Sequence, residues 1–230
     1  AEAISTLEAN DTVKDISTVR LSVFTPGAGD ELPFETDLSV QSHETFQLVN
    51  IDDGLLEIYA PNLSDQDKQA LNNGTGCLVK NPIPFSYGDT PVEHTELSIG
   101  DTIQLGSRAL RVIGIIDTPI TINNEGFTNG VQLIVNEEIY CSLMQDDTYS
   151  EIYLTLQDGV DTNSFESILD DWCSKYPGAH WLSYLESSNE MAESFEQIKM
   201  LCWVLIIFIG IIGILNIINT VYSNIHTRVC

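Results

Sequence analysis

The chain has 230 residues, with 34 Asp and Glu against 9 Lys and Arg and a formal net charge of −25 at pH 7. A charge this negative repels phosphate backbones, which excludes nucleic-acid binding, and it disfavours contact with anionic lipid. At 43% hydrophobic residues the chain is not disordered and can bury one sizeable core or two small lobes. The acidity fits solubility in an extracytoplasmic space or, alternatively, a surface for calcium or a cationic peptide.

The first 80 residues predict short alternating elements. Residues 1–10 have the apolar spacing of a helix, Thr18–Phe24 alternates as a strand does, and residues 27–43 predict a loop. Phe46–Ile51 and Leu55–Ala60 predict two strands of a hairpin, because the Asp-Gly pair between them favours a tight turn. A helix capped by Ser64 is expected over 64–71, and a strand over 77–80.

The middle of the chain is mostly β in its pattern. Three prolines predict a loop over 81–95, and a hairpin is expected between 102–105 and 109–116 across Gly106-Ser107-Arg108. A strand over 132–135 and a helix over 137–144 follow.

Residues 152–184 predict strand, helix and strand. The strands are 152–156 and a short one near 180–184. The helix, 163–175, carries one apolar stripe expected to lie in the core and a cap pair formed by Asn163 with Glu166. The stripe consists of Phe165, Ile168, Leu169 and Trp172.

An apolar run closes the chain. Residues 200–225 contain no Asp, Glu, Lys or Arg, and Leu201–Ile218 is nearly all apolar. A helix rises about 1.5 Å per residue and a bilayer core of roughly 30 Å needs about 20 residues, so 200–222 predicts a membrane span. The helix is expected to start near residue 189 with Ser187 and Glu190 as its cap, and to continue unbroken, because 190–200 holds no Gly or Pro.

The flanking charges predict an orientation. Lys199 precedes the span, and His226 and Arg228 follow it. Positive charge is enriched on the cytoplasmic side, which places residues 1–199 outside and Cys230 inside. We expect the sequence to be a piece of a larger membrane protein, because it opens without a signal peptide.

Catalytic, cofactor and metal motifs are missing from the sequence. The four histidines are scattered, and HExxH, GxSxG and GxxxxGK[ST] are all absent. His94-Thr95-Glu96 lacks the paired cysteines of zinc deaminases, and Asp158, Asp161 and Asn163 lack the Gly and Glu of a calcium loop. No catalytic residue, cofactor or metal is therefore expected. The outer cysteines predict free thiols or one bridge, either Cys141–Cys173 or Cys77–Cys141.

Polar residues gather in one half of the span. They are Asn216, Asn219, Thr220 and Ser223. Their spacing places them on one helical face, and polar side chains in lipid need partners. Gly210 and Gly213 precede them and allow close approach of helices. The face is predicted to pack against other spans; a lone anchor, with its Asn residues near the interface, is the alternative.

Two patterns in the sequence belong together. One is Gly213-xx-Asn216-xxx-Thr220-xx-Ser223-xxxx-Arg228; the other is GDTIQL at 100–105 followed by LRVIGII at 110–116. In this order and spacing they resemble FtsX-like ABC transporter permeases, the group that includes MacB and the LolC/LolE type. The resemblance covers about residues 45–230, and the first 45 residues match only in outline.

The resemblance implies an α+β, MacB-like extracytoplasmic domain followed by one transmembrane helix. Residues 1–45 and 148–189 would form a mixed α/β membrane-proximal (porter-like) lobe, and 46–147 an inserted β-rich (sabre-like) lobe. Residues 190–225 would form the stalk and transmembrane helix, and 226–230 the cytoplasmic start. The strand and helix pattern described above independently predicts the same two lobes.

The resemblance also implies a function. The chain would be the permease subunit of a transporter in a bacterial plasma membrane, dimerising and binding a separate cytoplasmic ABC ATPase. Nucleotide-driven motion would pass along the stalk to the outer domain. Members of the family extrude peptides, antibiotics or lipoproteins, or regulate cell-wall hydrolases. Helix packing and coupling would fall to six residues of the span: Gly213, Asn216, Asn219, Thr220, Ser223 and Arg228.

Two other function classes stay open on the sequence alone. A membrane-anchored signalling or scaffold domain would bind a peptide or regulate a cell-wall hydrolase without transport. A membrane-anchored enzyme would need a pocket with paired carboxylates, and no motif in the sequence points to one.

Overall fold

The computed structural model describes residues 2–120 and 129–229, and residues 2–3, 28, 163, 185–194 and 219–229 by their backbone alone. The chain forms two compact units, Ala1–Val160 and Asp161–Cys230. We call them unit 1 and unit 2.

Unit 1 contains helices, strands and one short 3-10 turn at Pro26–Ala28. In chain order its helices and strands are α1 (Glu2–Glu8), β1 (Val13–Phe24), β2 (Thr45–Ile51), α2 (Asp53–Tyr59), α3 (Asp65–Asn72), β3 (Gly76–Lys80), β4 (Ser86–Tyr87), β5 (Thr90–Pro91), β6 (Thr102–Leu105), β7 (Arg108–Ile115), β8 (Gly130–Ile134), α4 (Glu137–Met144) and β9 (Glu151–Leu156).

One mixed sheet of seven strands organises unit 1, in the order β6-β7-β3-β8-β2-β1-β9. The pairs β2–β8 and β3–β7 are parallel, and the other neighbours are antiparallel. The predicted α+β fold is confirmed. Strands β1 and β9 lie within the predicted membrane-proximal lobe, and the other five lie within the predicted inserted lobe. The boundary between the lobes therefore falls between β1 and β2 of a continuous sheet, and the division itself stays a prediction.

Both faces of the sheet are covered, so its central strands are buried along their whole length. On β2, Phe46 and Leu48 belong to one apolar cluster, whereas Val49 and Ile51 belong to the other, as the two-residue period of a strand requires. Helix α4 packs on the first cluster, and α2 and α3 pack on the second. This double cover explains why β2, β3 and β8 are buried at almost every position, including polar residues such as Gln47 and Gln132.

A buried arginine joins four segments of unit 1. Arg20 on β1 donates to Asn50 Oδ1 of β2 at 2.9 Å and to Glu137 Oε1 of α4 at 2.7 Å. Its guanidinium carbon lies 4.0 Å from the centre of the Tyr149 ring, and its side chain is only 4% exposed. Buried charges are stable only when they are paired and hydrogen-bonded, so this arginine fixes the relative positions of β1, β2 and α4.

One predicted strand is wrong. Leu55–Ala60 does not form the second strand of a hairpin, because residues 53–59 form α2. Asp52 caps this helix by accepting a hydrogen bond from Leu55 N at 3.0 Å. A hairpin strand would also have had no free edge beside β2, since β1 and β8 already pair with both edges.

Unit 2 consists of α5 (Thr162–Cys173) and α6 (Tyr184–Val229). The predicted strand near 180–184 does not form; Trp181 instead donates to Asp170 Oδ1 of α5 at 2.8 Å. The residue preceding α5 is Asp161, so the predicted cap pair at Asn163 and Glu166 is wrong by two positions. The apolar stripe of α5 is only partly buried, because Phe165 is 3% exposed and Ile168 is 42% exposed.

Helix α6 has 46 residues, and at about 1.5 Å per residue it is about 69 Å long. The predicted continuous helix is confirmed, although it begins at Tyr184, so the proposed cap Ser187 lies inside it. Its segment Phe195–Ile218 is long and apolar enough to cross a membrane, and none of it is buried inside the structure. It is the one such helix within the part of the chain that the structure describes.

Four of the five cysteines are described, and all four are free: Cys77, Cys141, Cys173 and Cys202. Neither bridge left open by the sequence is formed. Burial raises the pKa of the Cys77 thiol to about 12, so this side chain acts as an apolar core residue at neutral pH.

The arginine network predicts a large difference between two similar substitutions. Arg20→Met leaves the buried Asn50 amide without its guanidinium partner, and we expect a loss of about 2–4 kcal/mol in unfolding free energy. Arg108→Met removes a solvent-exposed pair with Glu138 and should cost less than about 1 kcal/mol. Thermal unfolding of the full chain in detergent measures both; equal shifts in melting temperature would show that Arg20 does not organise the fold.

Candidate functional site

The candidate site lies on the second half of α6, where the sequence places six residues. Gly213 and Asn216 are described with their side chains, and both are exposed to solvent. The structure describes four of the six by their backbone alone, and this backbone is helical: Asn219, Thr220, Ser223 and Arg228. The structure therefore places all six residues on one helix, and their roles in helix packing and coupling stay predictions.

Helical geometry brings four of these positions onto one face. At 3.6 residues per turn, Asn216, Asn219, Thr220 and Ser223 fall within an arc of about 100°. Gly213 lies near one edge of this arc, whereas Arg228 lies about 130° from its centre, outside the face. From Gly213 to Ser223 the face extends about 15 Å along the axis. It is long enough to contact a neighbouring helix over about three turns.

The surroundings of this face are apolar and accessible. Large side chains around it, such as Ile212, Leu215 and Ile217, are between 43% and 65% exposed. A Cβ added at Gly210 or Gly213 would meet open space. A second helix could therefore approach closely at the glycines, and polar side chains next to them could exchange hydrogen bonds with it.

The second motif, at 100–116, has a structural explanation. Gly100 has a φ of +100°, in the left-handed region that favours glycine, and Asp101 Oδ2 accepts a hydrogen bond from Ser98 N at 2.8 Å. These contacts start β6, and the register Leu105↔Arg108 closes a two-residue turn into β7. A Cβ at Gly114 would lie 2.9 Å from Leu78 Cδ2, so this glycine allows β7 to pack closely on its neighbours. The motif thus specifies a hairpin, as predicted.

The His94-Thr95-Glu96 sequence lies on a shallow cleft of about 360 Å³ in unit 1. His94 Nε2 is 3.8 Å from Glu96 Oε2, and Thr95 is buried beneath them. Among the residues that the structure describes, no group of three His, Cys, Asp or Glu side chains is placed to hold a metal ion. The sequence does not predict this cleft; the one signal in that region is the lack of any Lys or Arg between Lys80 and Arg108.

The chain is similar to several solved structures. No protein-family model and no curated protein matches the chain. The periplasmic region of MacB from Actinobacillus actinomycetemcomitans aligns with a TM-score of 0.44 and 12% identity, covering 75% of this chain and 72% of that one. The extracellular domain of the noncanonic ABC-type transporter YknZ from Gram-positive bacteria aligns with a TM-score of 0.42 and 14% identity, covering 75% and 79%.

Both structures are domains outside the cytoplasm, one periplasmic and one extracellular. TM-scores below 0.5 at this identity assign no function to this chain.

Proposed function

We propose that this chain is a piece of the permease subunit of an FtsX-like ABC transporter in a bacterial plasma membrane. Its outer domain would receive motion driven by a partner ATPase and use it to export or extract a substrate. The two motifs of the sequence support this proposal, and so does the apolar segment Phe195–Ile218. The observation that carries it is the continuity of α6 from Tyr184 to Val229.

A continuous helix can transmit displacement, whereas a flexible linker absorbs it. The part of α6 that precedes the apolar run, Tyr184–Lys199, is about 24 Å long. No proline occurs anywhere in α6, and its glycines, Gly210 and Gly213, lie inside the apolar run. Movement of the membrane segment would therefore reach Tyr184 with little loss, which is what a coupling stalk requires.

The charge distribution supports an outer position for residues 1–199. Lys199 forms an ion pair with Glu196 at 3.1 Å, so the one Lys or Arg between Lys175 and Arg228 has a carboxylate partner. Arg228 then lies beyond the apolar run, on the side that the positive-inside rule assigns to the cytoplasm. The acidic bulk of the chain would face a compartment free of nucleic acid.

The polar face of α6 supports a helical partner in the membrane. The polar positions that follow Asn216 would lose hydrogen bonds to water on insertion, which favours packing against another span that can supply partners. A second copy of the permease, or another span of the same full-length chain, would provide them. Contact with the ATPase would be made beyond Arg228.

The topology is directly testable by cysteine labelling in intact cells. In a variant without reactive cysteines, Lys68→Cys should react with a membrane-impermeant maleimide added outside. Arg228→Cys should react only after the membrane is permeabilised. Labelling of both positions from the same side would contradict a membrane-crossing α6.

The permease role is tested by the proteins that copurify. Affinity-tagged full-length protein, extracted from its own host in mild detergent, should carry an ABC ATPase in stoichiometric amount. Recovery of a kinase or a cell-wall hydrolase without any ATPase would favour the signalling or scaffold alternative and reject transport.

Interrupting α6 should uncouple the two sides of the membrane. Gln197→Pro removes a helical hydrogen bond at a cost of about 3 kcal/mol, whereas Gln197→Ala keeps the helix. A fluorophore at Leu182→Cys, which is highly exposed, would report ATP-dependent movement in the copurified complex. We expect the signal to fall by about half or more with proline and to persist with alanine. An unchanged signal with proline would disprove the role of α6 as a stalk.

The polar face is tested by removing one amide. Asn216→Leu should weaken assembly with the partner span by roughly 0.5–2 kcal/mol, because an interhelical hydrogen bond is lost in lipid. Ile214→Leu, on the opposite side of the helix, is the matched control and should have no effect. Crosslinking yield between permease copies measures assembly, and equal yields for both variants would count against packing at this face.

A further inference from the structure

A segment of unit 1 projects from the sheet between β3 and β6, and we call residues 82–96 the arm. Asn81 closes its base through two hydrogen bonds with Leu97, from Asn81 Nδ2 to the carbonyl at 2.9 Å and from the amide to Asn81 Oδ1 at 3.0 Å. Asn129 Nδ2 donates to the Ile83 carbonyl at 3.0 Å. Strands β4 and β5 pair within the arm. These bonds give the arm a defined shape.

Aromatic and apolar side chains of the arm face solvent. The Phe85 ring makes edge contacts with His43 at 5.5 Å and with Tyr87 at 5.7 Å between centroids. Tyr87 is 78% exposed, and Ile83 is 53% exposed. Large exposed apolar residues that neighbour one another indicate an interaction surface more often than isolated ones do.

The cleft of about 360 Å³ lies at the base of the arm. Its lining includes Asp37, Gln41, His94, Glu96 and Thr102. The floor is rigid, because buried Thr95 donates its amide to Glu44 Oε2 at 2.9 Å and its Oγ1 accepts from Gln41 N at 3.2 Å. The segment 37–44 therefore contributes both to the cleft and, through His43, to the aromatic row, so that the two features form one surface.

The charge of this surface is mainly negative. No Lys or Arg occurs between Arg20 and Lys68, or between Lys80 and Arg108. The segments 37–44 and 82–96 lie inside these intervals and carry exposed carboxylates: Asp37, Asp89, Glu93 and Glu96. Arg111 is the basic residue paired with the cleft residue Thr102 across β6 and β7, so carboxylates outnumber it around the cleft. An excess of exposed carboxylates attracts cations and repels anionic partners.

We propose that the arm and its cleft bind a cationic peptide segment that carries apolar side chains. Its Lys or Arg residues would pair with Asp37 and Glu96 and pack over the Tyr87 ring, while its apolar residues would contact Ile83 and Phe85. Such a ligand matches both the charge and the aromatic character of the surface, whereas an inorganic cation would leave the aromatic row unused. The inference concerns unit 1 alone and does not rest on the permease role.

Binding can be measured with a defined probe. A fluorescein-labelled 12-residue peptide of alternating Lys and Leu, with one Trp, is titrated with the full chain in neutral detergent, and anisotropy is recorded. The affinity should fall at least about fivefold between 50 and 300 mM salt, because exposed charges are screened. The same peptide with Glu in place of Lys should not bind.

Two variants and one control locate the site. Tyr87→Ala and the double variant Asp37→Asn with Glu96→Gln should each weaken binding about fivefold or more. The control, Asp15→Asn with Glu57→Gln, removes two exposed carboxylates at the opposite end of β2 and should leave affinity within about twofold. Circular dichroism checks that each variant is folded, which we expect because the changed side chains are exposed.

Three outcomes would overturn the proposal. An equal loss in the control would show diffuse attraction to a net charge of −25 rather than a site. Equal binding of the peptide with Glu in place of Lys would show an apolar surface without charge selection. Absence of binding at low salt would remove the site altogether, without bearing on whether an ATPase copurifies with the chain.

Discussion

The apolar run Leu201–Ile218 constrains how the rest of this chain can work. Its large side chains are about half exposed along the whole helix, and none is covered by the described structure. Burying each of these side chains stabilises the molecule by about 1.5–3 kcal/mol, so a run of this length favours a covered position, in lipid or against other protein. The acidic remainder, by contrast, is poorly suited to an anionic surface. One chain therefore combines a segment long and apolar enough to cross a membrane with an acidic domain suited to water.

The fold of unit 1 meets a different requirement, which is rigidity. A seven-stranded mixed sheet covered on both faces cannot bend easily, because its central strands pack on two apolar clusters. Arg20 adds a polar constraint between β1, β2 and α4. In the proposed permease, a domain that receives motion through α6 would transmit force only if it does not deform, and a rigid sheet would meet that condition.

Local patterns in the sequence predicted much of this structure. Helix α4 has the predicted bounds, Glu137–Met144, and the β6–β7 hairpin and the continuous α6 are confirmed. These elements are encoded by nearby residues: a cap, a two-residue turn, and a long run without proline.

Features that depend on distant residues were not predictable in the same way. Residues 55–60 were expected to be a strand, and the decisive fact, that β1 and β8 occupy both edges of β2, is tertiary. Arg20 is an ordinary alternating residue in sequence and becomes buried only when Asn50 and Glu137 reach it. The prolines of 81–95 predicted a loop but could not show that it packs on 37–44. For the candidate site, spacing predicts a shared helical face, and the helices that would pack against this face stay a prediction.

The most direct measurement of the central claim is the distance between spin labels at Tyr184 and Ile214, determined by double electron–electron resonance with the full-length protein in lipid nanodiscs. A single unbroken helix predicts one narrow distribution centred near 45 Å. A broad distribution, or a main distance below about 35 Å, would mean that α6 bends or breaks between the outer domain and the membrane, and would contradict the account.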